Sequence, residues 1–503
     1  MKKETIRMTA ALLAVLSVSA VSFSACGEAS GQPAGENTPN GSEEAAVTEA
    51  AETEDTIKDN LPALDYGGDT VKIHTFGWKD AIRFDGAGNG ETGDVIDAAV
   101  YQRNLATEER LNMKLEFSNG GDDWAGFPTE IEKMVKAADC PYDMIFLESS
   151  QCFRLCLNGY FRELSNLPYI DQNQPWWYKE FMDGGSISTD SRYFLTGAFS
   201  ITTLNGASCA IFNKRLFGSY FEDYNELYTL VENHQWTYDK LIEYCKAVYT
   251  DVNGDGKADT DDIYGFFNRG QQTVNYVSMS TGYRYLQRDK DNLPVLDLNN
   301  EDGIRWSEYM YRMLYEDNMS LTDAKQDGLV HFASGKSLFF LGMLSEYIKD
   351  EVRGMEDPHG VLPMPVVDEG MEYMSAAGTV NGMSAVLPVT TGDDRLDICA
   401  ATLESLSIEA YRTVIPAWYD VALKSKYVDT ERDSKMIDII YNTIDTSFIM
   451  IADKLLGTGS YFYNMLVSSK KTPGEYVSYY EKQSKTILKK WDAMIESYLA
   501  LEN

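Results

Sequence analysis

Tyr142-Asp143-Met144-Ile145-Phe146-Leu147 is an almost unbroken apolar run. A strand with one wet face alternates apolar and polar residues, whereas a strand covered on both faces does not. The run therefore predicts a central strand of a sheet packed on both sides. Just before it, Ile131, Met134, Val135 and Ala138 fall on one helical face, with Thr129 and Glu132 at capping-box spacing. Further back, Lys114-Leu115-Glu116-Phe117 predicts a strand, Val95 to Leu111 a helix, and Thr70-Val71-Lys72-Ile73-His74-Thr75-Phe76 a first, alternating strand. Strand, helix, strand, helix, strand is the signature of a parallel sheet in an α/β domain.

The same periods recur downstream. Thr237 caps a predicted helix to Tyr249, with Leu241, Tyr244, Cys245 and Val248 as its stripe. Ser337 to Leu341 and Met383 to Leu387 predict buried strands. Leu396, Cys399, Ala400, Leu403 and Leu406 mark a helix. Pro473 to Leu501 predicts a long amphipathic helix with Val477, Tyr480, Ile487, Trp491 and Ile495 facing inward.

The N-terminus has another character. Lys2, Lys3 and Arg7 precede an apolar and small-residue run, Met8 to Val21, too short to span a bilayer. Together they predict a signal peptide over 1–25. Phe23-Ser24-Ala25-Cys26-Gly27 resembles a bacterial lipobox, with Phe23 where Leu is usual. The resemblance implies lipidation of Cys26. Residues 26–66 then predict a disordered acidic tether, poor in large apolar side chains that could offset the entropy of ordering.

The net charge is −34 over 503 residues. That repels phosphate backbones and anionic lipid, which argues against nucleic acid as a partner and leaves the anchor as the only membrane contact. Hydrophobic residues at 44% suffice for large cores, and the length suits two or three domains. Cys140, Cys152, Cys156, Cys209, Cys245 and Cys399 form no CxxC pair. They read as small buried hydrophobes, and their spacing leaves disulfide pairing open.

Seven segments matter together: Tyr142 to Ile145, Gly159 to Leu164, Cys209 to Lys214, Trp236 to Leu241, His331 to Leu338, Gly360 to Pro365, and Asn381 to Val386. In this order they resemble the family 1 extracellular solute-binding proteins, the sugar-binding branch of ABC importers, from about Val71 to the C-terminus. The resemblance implies an α/β, two-lobed periplasmic-binding-protein-like fold (type II), with a ligand cleft between lobes joined by a hinge. It implies lobe one at 67–200 plus 376–411 and lobe two at 201–375 plus 412–503. It also implies a monomer on the outer face of the bacterial cytoplasmic membrane, passing a small polar solute, an oligosaccharide, to an ABC transporter permease.

One local motif stands apart. From Asp251 to Asp262, oxygen-bearing side chains fall at positions 1, 3, 5, 9 and 12, with Gly256 at 6. This is EF-hand loop spacing, except that Asp262 replaces Glu. It predicts a structural calcium ion held by Asp251, Asn253, Asp255, the Lys257 carbonyl, Asp259 and Asp262. The alternative is an acidic surface turn without metal.

Sugars present apolar C–H faces to aromatic rings and hydroxyl edges to carboxylates and hydroxyls. In open α/β sheets ligands sit beyond the carboxyl ends of the strands. That rule selects Trp78, Asp122, Trp124, Glu148, Ser149 and Met343. Trp177 enters as a loop residue near the cleft mouth, and the family resemblance adds Tyr461 and Tyr463. Trp236, Trp306 and Trp491 lie in helical patterns and read as core.

Catalysis is disfavoured, because no GxSxG, HExxH or Walker-type loop is present and the four histidines lack ligand spacing. An adhesion or sensory lipoprotein on the same fold is the competing reading, and polyamine or peptide the competing cargo.

Overall fold

The computed structural model describes residues 59–77, 85–90, 93–188, 191–268, 270–283, 285–321, 328–377, 382–425, 430–446 and 448–501. Cys26, the signal segment and Trp78 lie outside the described residues. The first lobe carries β1 (Asp69–Thr75), α1 (Val95–Leu111), β2 (Met113–Asn119), α2 (Gly126–Lys136), β3 (Met144–Glu148) and α3 (Ser149–Cys156). The second carries β4 (Ser208–Asn213), α4 (Tyr238–Val248), β5 (Tyr264–Asn268), α5 (Gln271–Ser280), α6 (Glu301–Tyr315), β6 (Ser337–Met343) and β7 (His359–Leu362). β8 (Ser375–Ala376) leads back to β9 (Met383–Val386) and α7 (Leu396–Glu409). Then follow α8 (Glu431–Asn442), β10 (Ile444–Asp445), α9 (Phe448–Leu456), α10 (Thr458–Tyr463) and α11 (Tyr476–Leu499).

Each lobe is built on its own sheet. The first has the order β9-β3-β1-β2, with β1 parallel to β2 and β3, and β9 antiparallel to β3. Every residue of β3 is buried, as its unbroken apolar run requires. The helix between β1 and β2 is bounded by side-chain chemistry. Asp94 accepts from the Ile96 and Asp97 amides at its start, and Asn112 adopts φ 45 at its end. The second sheet has the order β5-β6-β4-β7, with β4 antiparallel to both β6 and β7, and β5 parallel to β6. Both β4 and β6 are buried throughout. A short parallel ladder of β8 with β10 and a bridge between Ala207 and Ala377 tie the crossing segments together.

Four local expectations change. The capping box is not used: α2 starts at Gly126, so Thr129 lies inside it and donates Oγ1 to Ala125 O, while Glu132 pairs with Lys136. The buried stripe of α11 is Tyr476, Ile487, Trp491, Met494 and Tyr498, with Val477 exposed. The helical period was legible, but its phase is set by what the helix packs on. Residues 61–66, expected in the tether, join the body, where Arg110 donates to Leu61 O at 3.2 Å and Tyr66 to Asp397 at 2.6 Å. Finally, α7 runs on into π-helical turns at Ala410–Val414 and Ala417–Ser425 that pack on α1, and α9 packs on α3. The packing partner therefore does not change at residue 412. Trp418, fully buried, fixes this run by donating to Asn205 Oδ1 at 2.6 Å.

The six described cysteines are free thiols, five of them buried. No helix among the described residues is long and apolar enough to cross a membrane.

Candidate functional site

The first-lobe helix Lys179–Gly184 reaches the end of β10, in the segments that cross between the lobes. Gly184 is needed there for close approach, because a Cβ on it would lie 2.8 Å from the Thr446 carbonyl oxygen. Beside this contact is a recess of ≈120 Å³ lined by Met279, Tyr283, Tyr285, Leu286, Met374, Asp445 and Thr446.

Its floor is rigid. The Tyr283 hydroxyl bonds Leu298 O at 2.7 Å and the Tyr476 hydroxyl at 2.5 Å. The ring of Tyr283 meets those of Tyr285, Trp306 and Phe462 at 4.6, 5.7 and 5.8 Å. Asp445 supplies a carboxylate edge, its Oδ1 accepting from the Thr446 amide at 2.7 Å. Aromatic and thioether surface beside one carboxylate and the tyrosine and threonine hydroxyls suits a ligand with apolar faces and polar edges. Ligand pockets usually begin at about 300 Å³. At ≈120 Å³ the recess is smaller than that.

None of the described residues selected from sequence lines this recess. Trp124, half-buried in the loop after β2, places its ring 4.3 Å from Phe76, and Asp122 is exposed in the same loop. The Gly77 amide donates to Gly121 O at 2.6 Å, so the loops after β1 and β2 stand together. Glu148, buried at the end of β3, accepts from the Ser150 hydroxyl. Parallel strands bring these three carboxyl ends to one edge, as the topology requires. Ser149 shares that edge, but its hydroxyl is committed inside the lobe to Gly382 O at 3.1 Å and Ser384 Oγ at 2.8 Å. Tyr463, half-buried, lies beside Gly270 in the turn after β5.

Three further selected residues are interior. Trp177 is not at a cleft mouth: it is 3% exposed and donates Nε1 to Glu404 at 2.9 Å, beside Trp176, which donates to the same carboxylate at 3.0 Å. One buried acid on α7 draws both indoles into the first-lobe core. Met343 is buried opposite Ser208, with its amide donating to Glu346 at 2.9 Å. Tyr461 is buried with its ring 5.2 Å from Tyr479 of α11.

The acidic loop turns as its spacing predicts. Gly254 and Gly256 adopt φ 72 and 75. Asp251 accepts from their amides at 2.7 and 2.8 Å, Asn253 from the Asp255 amide and Asp255 from the Lys257 amide, both near 2.9 Å. Asp262 is buried and accepts from Val252 N–H at 3.1 Å. The donor types suit calcium. Among the described residues, however, no three His, Cys, Asp or Glu side chains gather as a metal site.

No family model matches the sequence, and no curated protein matches it. Solved structures match over most of the chain. A cyclo/maltodextrin-binding protein complexed with maltotetraose aligns with TM-score 0.57 and 13% identity, covering 84% of this chain and 98% of that one. The fold is that of the two-lobed ABC solute-binding proteins. UgpB from Mycobacterium tuberculosis, in complex with glycerophosphocholine, aligns at 0.55 and 12%, covering 84% and 100%. An ABC substrate-binding protein from Listeria monocytogenes, in complex with cycloalternan, aligns at 0.54 and 13%, covering 84% and 99%. At such identities the likeness is one of fold. Sequence reasoning missed the recess because tyrosines and acids are abundant, and nothing local marks Tyr283, Tyr285 or Asp445 among 32 tyrosines and 78 acidic residues.

Proposed function

We propose that this chain is the solute-binding component of an ABC importer, capturing a small polar solute, an oligosaccharide, by closing two lobes over it. The observation that carries this reading is a pair of separately built sheets joined by crossing segments, with an aromatic recess and its carboxylate edge where the second lobe meets those segments. The role is binding and not catalysis. Ligand shifts the open–closed equilibrium only by its differential affinity for the closed form, and the permease reads the closed shape. Cys26 serves as the lipid anchor, residues 1–25 as its signal and the following acidic segment as tether. Calcium in the 251–262 loop is a structural support of the second lobe, and its binding draws the carboxylates together. Trp124, Glu148 and Tyr463 contribute at the strand ends that border the cleft.

A thermal-shift screen tests this. Mono- and oligosaccharides, polyamines and peptides are compared, since binding to the native state alone raises Tm. A rise with one oligosaccharide class is expected. A rise with polyamines alone replaces the cargo, a second reading favoured by Asp445 in the recess and by the net charge of −34. Silence throughout removes the transport reading in favour of an adhesion or sensory role.

A further inference from the structure

The recess wall formed by Tyr285 and Leu286 belongs to a hairpin in which Leu286–Arg288 pairs with Pro294–Leu296. The hairpin is rooted in the second lobe. The Asp297 amide donates to Tyr285 O at 2.8 Å, and Asn300 caps α6 through the Gly303 amide at 2.9 Å.

Arg288 reaches out of that lobe. Its Nη2 donates to Asp183 O at 2.9 Å and Ser186 O at 2.7 Å, and its Nη1 donates to Ile187 O at 2.7 Å. A fourth bond returns to Asn292 O, in the hairpin's own turn, at 2.8 Å. The three outward acceptors lie at the C-terminal end of helix Lys179–Gly184 and the turn after it, where carbonyls have no helical donor. The Tyr178 amide, at the start of that helix, donates to Thr196 O at 3.0 Å, and the chain around Thr196 is anchored in the first lobe. Leu195 and Ala385 exchange backbone hydrogen bonds at 3.0 and 2.8 Å, and the Leu164 amide donates to Arg192 O at 2.6 Å. The Asp183 carboxylate is engaged by Lys179 and Arg192, so it offers Arg288 its carbonyl.

A guanidinium presents its donors as a planar fork, so one side chain satisfies several carbonyls at once. We propose that Arg288 is the positioning residue that holds the recess shut. It seats the Tyr285–Leu286 wall against the Gly184–Thr446 contact, and releasing three carbonyls opens a path for solute. Only the binding half of its test rests on the solute-binding reading.

The test uses the full chain, wild type, Arg288→Ala and Arg288→Lys. Hydrogen exchange is followed in residues 183–188 and 285–296 without solute, and maltotetraose release is followed as the binding probe. With the latch removed, amides of both segments exchange at least about tenfold faster while β3 and β4 keep their protection. Bound maltotetraose leaves about tenfold faster, and lysine restores part of both effects because it keeps the charge but not the fork. Unchanged exchange in 183–188 overturns the proposal. Should the alanine variant lose protection throughout, the lysine variant decides: acceleration confined to the two segments supports the latch, and none overturns it. Failure of maltotetraose to bind wild type counts against the oligosaccharide reading alone, and the exchange result still decides the latch.

Discussion

Trp177 donates its indole N–H to the buried carboxylate of Glu404 at 2.9 Å, which makes this tryptophan part of the first-lobe core. Removing it opens a cavity and takes one donor from a buried acid. Trp177→Ala is expected to lower stability by about 3–5 kcal/mol, read as a shifted urea midpoint. Solute affinity, corrected for the unfolded fraction, stays at the wild-type value. A specific loss of affinity at full stability would return Trp177 to the cleft.

Gly184 lies against Thr446 of the segments that cross between the lobes. The obstacle to a side chain at 184 is a backbone oxygen at 2.8 Å, which cannot rotate away. Gly184→Ala is expected to cost about 1–3 kcal/mol, or to shift the lobes towards an open form visible as a larger radius of gyration by small-angle scattering. An alanine variant with wild-type stability and dimensions removes the close contact as a determinant of closure.

Asp85 carries a pH dependence. Burial pushes its carboxyl up to about 7, against smaller opposing contributions from Thr202, Ser200 and Arg103. A raised acid binds its proton more tightly when folded, so its contribution is full below the unfolded pKa of about 4 and declines as pH rises through about 7. Asp85→Asn removes this dependence. Relative to wild type, the variant gains about 1.4 kcal/mol per pH unit between about pH 5 and pH 7, measured by urea unfolding at both. Parallel pH profiles would show that Asp85 does not titrate in this range.

The acidic loop should respond to calcium. Calcium at about 100 times its dissociation constant stabilises the folded form by about 2.7 kcal/mol. The expected result is a higher Tm with calcium, reversed by chelator and absent in Asp251→Asn with Asp255→Asn. Magnesium substitutes poorly, because it demands a tighter octahedral shell. A Tm indifferent to calcium leaves the loop as a hydrogen-bonded turn.

Five of the six described thiols should be silent. Burial pushes the Cys399 thiol up to about 12 and Cys156 higher still. Among Cys140, Cys152, Cys156, Cys209, Cys245 and Cys399, a thiol reagent is expected to label the half-exposed Cys140 first. The other five should react only on unfolding. Rapid labelling of any of those five would place it on a mobile surface.

Much of the fold could be read from local pattern. The run at Met144 to Leu147 lies buried on both faces, and Thr237 caps its helix. Where the reading slipped, a neighbour decided. Thr129 has the spacing of a cap, yet the helix already begins at Gly126 and Phe127. Val477 has the right period for α11 but the wrong phase, since Tyr476 is the residue drawn in by Tyr283 and Leu298.

Sequence by itself determined the alternation of strands and helices, the capped helix start at Thr237, the glycine turns of the acidic loop and the charge that disfavours nucleic acid. Each of these depends on residues a few positions apart, where backbone geometry alone sets which side chains share a face. Only the tertiary structure decided that Glu404 takes both indoles, that Gly184 meets Thr446, and that Tyr285 and Asp445 share one recess. Those neighbours come from distant stretches, brought together because the chain crosses between lobes more than once. No local period encodes which faces will meet.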